Sequence, residues 1–98
     1  MEINNKIMIK EQELIDVGFL RADVSPEEAG TKTGYYYYDY DLIENNYTIS
    51  LISQCSDEIK NDNWVVNFFE AENVVFNTID DIKHIINIFK KHTVKNNG

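Results

Sequence analysis

Residues 35–42 read YYYYDYDL, and their alternation decides the fold. Successive side chains of a strand point to opposite faces of its sheet, so period two separates Tyr36, Tyr38, Tyr40 and Leu42 from Tyr35, Tyr37, Asp39 and Asp41. The even set is expected on the core, with Asp39 and Asp41 facing water. Glu44-Asn45-Asn46 supplies turn residues. Beyond it Tyr47, Ile49 and Leu51 line one face of a second strand, with Thr48, Ser50 and Ile52 on the other. A polar loop over residues 54–63 leads to a third strand over 64–69, apolar on both parities, which suits a central strand partly covered on both faces. Ala71-Glu72-Asn73 reads as a further turn and residues 74–76 as a short last strand.

Helices flank these strands. Residues 10–17 put Leu14, Ile15 and Val17 near one side, Gly18 stands where a left-handed stop is needed, and Phe19 follows as its apolar contact. Before that helix, residues 6–9 read as an edge strand or extended arm, with Ile7 and Ile9 facing one way. Ser25-Pro26-Glu27-Glu28 reads as a single helical turn capped by Ser25, and residues 29–33 as a loop ending at Gly34. Near the C-terminus Thr78 is a natural N-cap, with Asp80 and Asp81 in the first turn. Ile79, Ile82, Ile85, Ile86 and Phe89 form one stripe of that helix, and Lys83, His84, Asn87 and Lys91 the other. The pattern predicts a two-layer α+β domain over residues 1–92: a short N-terminal helix, an antiparallel meander of three to four strands, and a C-terminal amphipathic helix packed on the sheet. Residues 93–98 are expected as a polar tail. The expected core is Tyr36, Tyr38, Ile49, Leu51, Trp64, Val66, Phe68, Ile82, Ile85, Ile86 and Phe89.

Composition narrows the class. A chain of 98 residues with 43% hydrophobic residues and net charge -8 is too apolar for a disordered acidic tail. A single core of this size buries roughly 60–70% of the surface of the unfolded chain, enough to fold without staples. The acidic balance argues against direct DNA binding and against an anionic membrane surface. A single cysteine, Cys55, excludes an intrachain disulfide and a cysteine zinc cage and fits the cytoplasm, as does an N-terminus without an apolar signal region. The charge is uneven: residues 11–81 hold 16 acids and 3 bases, whereas residues 83–98 hold Lys83, Lys90, Lys91 and Lys95 and no acid.

No catalytic residue, cofactor or metal is expected. Asp39 and Asp41, with Glu44 near, form a carboxylate cluster of the kind that holds Mg²⁺ or shuttles protons, but a strand wet on one face needs polar residues there anyway. Cys55 has Asp57 and Glu58 beside it, which disfavour a thiolate. His84 and His92 show no zinc-protease spacing, and the glycines show no phosphate-loop spacing. Tyr35 and Tyr37 are more informative. They share a face with Ser50, Ile52, Val65 and Phe69, and exposed tyrosines are enriched at protein interfaces. Base stacking is poorly supported, since only Lys32 lies close. Cover by the first helix is the structural alternative for this face.

Glu13-Leu14-Ile15 followed by Gly18-Phe19, the Tyr35 to Tyr38 run, the lone Trp64 strand and the closing helix together resemble small acidic orphan proteins of phages and mobile elements (Bacteroidetes-like), a group that includes anti-CRISPR and other anti-defence inhibitors. The resemblance implies a non-enzymatic protein-binding inhibitor, in its sharpest form an anti-CRISPR acting on a nucleic-acid-handling Cas effector through an acidic surface. The expected contacts are Tyr35, Tyr37, Asp39, Asp41, Glu44, Asp57, Glu58 and Asp62. The expected partner is a protein with a basic surface, such as a CRISPR effector nuclease. The alternative is a small homo-oligomerising module whose exposed Tyr, Ile and Phe face forms a homodimer.

Overall fold

The computed structural model describes residues 8–44 and 48–93. Ile7, the Asn45-Asn46 turn, Tyr47 and nearly all of the tail lie outside the described residues. The elements run α1 (Glu11–Val17), β1 (Leu20–Val24), α2 (Pro26–Ala29), β2 (Tyr35–Glu44), β3 (Thr48–Ser53), a 3₁₀ turn (Ser56–Glu58), β4 (Val66–Phe68), β5 (Ala71–Phe76) and α3 (Ile79–His92). The strands form one antiparallel sheet in the order β1-β2-β3-β4-β5. The α+β architecture, an antiparallel meander with the C-terminal helix packed on it, is as the sequence predicts; α1 packs on the same side as α3.

Local chemistry explains most boundaries. Gly18 at φ 117° stops α1, and the Phe19 N–H turns back to the Leu14 carbonyl at 3.0 Å, which sends the Phe19 ring into the core. Ser25 caps α2, accepting from the Glu28 N–H, and Thr78 caps α3, accepting from the Asp81 N–H. Gly34 admits no side chain: a Cβ there would lie 2.2 Å from the Val24 carbonyl oxygen, so a larger residue would push β1 off β2.

Three expectations are corrected. The sheet has five strands, because residues 20–24 form β1, an edge strand unread in the sequence. Trp64 precedes β4 and pairs only with Ile9 in an isolated bridge. The turn falls at Phe69 and Glu70, the latter left-handed at φ 67°, so residues 71–73 belong to β5. The register between β4 and β5 slips there, and the Asn67 amide fills the irregularity by donating to the Glu72 and Val74 carbonyls.

The core lies between the sheet and the two longer helices: Ile9, Leu14, Phe19, Tyr38, Leu51, Trp64, Val66, Ile82 and Ile86. Ile9, Leu14 and Phe19 join it beyond the expected set; of that set Tyr36, Phe68 and Ile85 pack against it half-buried, and Ile49 and Phe89 are half-buried too. Tyr38 and Trp64 meet edge to face at 5.5 Å, an arrangement the ring quadrupoles favour. The Tyr38 hydroxyl donates to Glu11 at 2.5 Å, and burial followed by that bond pushes its pKa up to about 12.

The inner half of β2 completes its ladder with side chains. Beyond Ser53 the chain leaves the sheet, and the Tyr38 and Tyr36 N–H groups donate instead to the Ser53 Oγ (2.9 Å) and Ser56 Oγ (3.0 Å). Ser53 is the buried polar side chain among the described residues. Ser53→Ala leaves the buried Tyr38 N–H without a partner and should cost about 1–3 kcal/mol. Urea unfolding followed by Trp64 fluorescence checks this, with the exposed Asn77→Ala expected to be neutral.

Candidate interaction face

Because α1 and α3 both pack on one side of the sheet, its other side is bare. The covering of Tyr35 and Tyr37 by the first helix does not occur: Leu14 and Phe19 join the opposite, core face with Tyr38 and Tyr40. Register then assigns the bare face. Leu20, Ala22 and Val24 of β1 lie beside Asp39, Tyr37 and Tyr35 of β2. Asp39 and Asp41 lie beside Ile52 and Ser50 of β3, and Ile52 beside Asn67, which is beside Val75 of β5. Leu20 is 72% exposed, Phe69 56% and Val75 52%.

A β-bulge completes the acidic edge of this face. Period two alone would put Glu44 on the core side, with Tyr40 and Leu42. The register instead shifts between Asp41 and Ile43, so Ile43 pairs with Ile49 and Glu44 with Thr48. Leu42 packs on the core, and Glu44 returns to the face of Asp41. Asp41 accepts from Ser50 Oγ at 2.6 Å. The Glu44 carboxyl sits above its ordinary pKa through its hydrogen bond with Asp41 and their repulsion. Burial, then repulsion from Asp41, raises that of Asp39.

Two shallow grooves run along the face. One of about 230 Å³ is lined by Tyr37, Asp39, Ser50, Ile52 and Phe69. The other, about 660 Å³, begins at the same Ile52 and Phe69 and continues past Cys55 to Glu58, Glu70 and Glu72. Among the described residues no lysine or arginine lines either groove. Cys55 is half-buried, and burial, then Glu58 and Asp57, raise its pKa, which makes the thiol a poor nucleophile. Among the described residues no group of His, Cys, Asp and Glu is placed to hold a metal ion.

Of the eight predicted contact residues, the structure brings Tyr35, Tyr37, Asp39, Asp41 and Glu44 together on β2, and Glu58 joins them across the second groove. Asp57 is exposed in the same 3₁₀ turn. Asp62 is placed elsewhere. It sits in a tight turn whose central residues Asn61 and Asp62 are both left-handed, and its carboxylate accepts from the Glu11 N–H (3.0 Å) and from Trp64 Nε1 (2.9 Å). Through its Oδ1 that carboxylate fastens the start of α1 to the core. Glu70, Glu72 and Asn67 enter the face unforeseen; the β4–β5 slip that places them leaves no mark on hydrophobic periodicity. Compared with protein-family models, curated proteins and solved structures, the chain matches none. No helix of the described residues is long and apolar enough to cross a membrane.

Two outcomes follow. Asp62→Ala should destabilise by about 1–3 kcal/mol by stripping an acceptor from two donors, while Asp57→Ala should stay within about 0.5 kcal/mol; urea midpoints separate them. Asp39 behaves oppositely to a salt-bridged acid. Its folded pKa is raised, so the stability its protonated form contributes is present below the ordinary Asp value and lost as pH rises through the folded one. Asp39→Asn should therefore raise stability at pH 7 by at most about 1 kcal/mol, with the difference vanishing as pH falls below about 4, measured by denaturation across pH.

Proposed function

We propose that this chain is a non-enzymatic protein-binding inhibitor that presents its bare sheet face to a basic surface of a nucleic-acid-handling effector, as anti-CRISPR proteins and other anti-defence inhibitors do. The observation that carries the reading is the composition of the uncovered face: Tyr37, Ile52 and Phe69 at its centre, Asp39, Asp41 and Glu44 at one end, Glu58, Glu70 and Glu72 at the other, and, among the described residues, no cation lining the grooves between. Apolar and aromatic side chains supply contact area at low entropy cost, and the rim of carboxylates opposes a positive surface. Channels that hold guide and target strands are such surfaces. An acidic face steered onto one competes with phosphate for the same arginines and lysines.

The opposite side of the molecule suits this role less well. The groove between α1 and α3, about 480 Å³, mixes Glu13 and Asp16 with Lys83 and Lys90, so its charges offset one another.

Interface exchange tests the reading. Tyr37→Lys and Asp41→Lys should each weaken capture of a CRISPR effector nuclease at least about tenfold while leaving the urea midpoint within about 0.5 kcal/mol. Wild-type binding should fall as salt rises. Capture insensitive both to salt and to these two substitutions would overturn the proposal.

A further inference from the structure

The geometry points to a second copy of this chain pairing along the free edge of β1, which joins two sheets into one. This goes beyond the docking reading and needs no foreign partner.

The backbone first shows which groups are free. The Tyr36 and Tyr38 N–H groups point toward β3, where Ser56 and Ser53 accept from them. Alternate residues of a strand point their polar groups to opposite sides, so Tyr35, Tyr37 and Asp39 address β1. Their partners there are Val24, Ala22 and Leu20. Arg21 and Asp23 are left with N–H and C=O directed away from the sheet. β1 is terminal in the strand order, and among the described residues no backbone bond reaches either residue from that side.

Exposed edges are normally blunted by a proline, a bulge or charged side chains. β1 has no proline and no bulge, and its five-residue register with β2 is unbroken; its two charges, Arg21 and Asp23, are of opposite sign, so a second copy can pair them. The other edge, β5, is blunted by its slip against β4.

The side chains then select the register. An antiparallel pair of β1 strands related by a two-fold axis at Ala22 sets Arg21 opposite the second copy's Asp23, and Asp23 opposite its Arg21. All four outward backbone groups of each strand meet a complement in this register. Axes at Arg21 or at Asp23 would oppose like charges instead, which is destabilising. Within one chain Arg21 already bonds Asp23 at 2.9 Å and lies 3.6 Å over the Tyr36 ring, so the charged row is held ready. On the bare face the same axis sets Leu20, otherwise 72% exposed, opposite the second copy's Val24. The product is a ten-stranded sheet whose two bare faces run together. A five-residue edge buries little area, so the association depends on concentration.

Sedimentation equilibrium over a broad dilution series tests this, with the expected mass rising from 11.5 kDa toward twice that value. Arg21→Asp makes the row wholly acidic and Asp23→Arg makes it wholly basic; each alone should weaken self-association about tenfold or more. Mixed in equal amounts, the two variants should associate again, which also shows that both fold. In a Cys55→Ser background, Ala22→Cys should oxidise to a covalent dimer, because facing residues of a non-hydrogen-bonded pair lie about 4.5 Å apart at Cα, within disulfide reach. Leu20→Cys, whose copies lie apart in this register, should not. A mass fixed at 11.5 kDa throughout, a dimer untouched by either charge reversal, or equal cross-linking of the two cysteine variants would overturn the proposal.

Discussion

The Tyr38 side chain stands where helix, sheet and loop meet, and the remaining packing depends on it. Its ring lies edge-on to both Tyr36 and Trp64, and its hydroxyl ends on Glu11 at the first turn of α1. Asp62 closes the circuit by holding the same turn of α1 and the Trp64 indole. A partly buried polar network of this kind stabilises most when its buried members are all satisfied. Here the tyrosine, the indole and the start of the helix all find partners. The cost of that arrangement is that α1 is tied to the core face and cannot cover the other. The bare face is thus a consequence of the core and not a separate feature added to it.

Much of this was legible because the sequence is locally consistent. The alternation in residues 35–42, the glycine stop at Gly18, the Ser25 and Thr78 caps and the isoleucine stripe of α3 each mark a structure that forms where the pattern says. β1 escaped for a physical reason. Its sequence alternates, but the apolar set Leu20, Ala22 and Val24 faces the bare side, while Arg21 and Asp23 sit on the helix side at the rim. A pattern is read as a strand when its apolar side has a core to meet, and this one has none within the chain. The boundary of β5 escaped because a left-handed Glu70 makes the turn without glycine or proline. The anchoring bonds of Asp62 leave no mark on the sequence because charge carries no direction; the left-handed turn brings its Oδ1 to the Glu11 N–H and the Trp64 indole.

The sheet also sorts the charge of the molecule. Acids gather at the two ends of the bare face, whereas Lys83, Lys90 and Lys91 lie on α3, behind the opposite face. Lys83 and Lys90 share their groove with Glu13 and Asp16, so part of the basic helix is neutralised within the fold. The bare face, with Asp39, Asp41, Glu44, Glu58, Glu70 and Glu72 and, among the described residues, no cation lining its grooves, is therefore more uniformly negative than the groove between the helices.

The bulge at Asp41 and Ile43 acts as a phase shifter in a ten-residue strand. Upstream of it, odd-numbered residues face water; downstream, even-numbered ones do. Ile43 is thereby spared exposure and Glu44 is spared burial in a single step. The strand tip thus has two independent settings, residue identity and pairing register. Straightening the bulge with every residue retained would exchange the chemistry of both faces at that end, although no amino acid had changed.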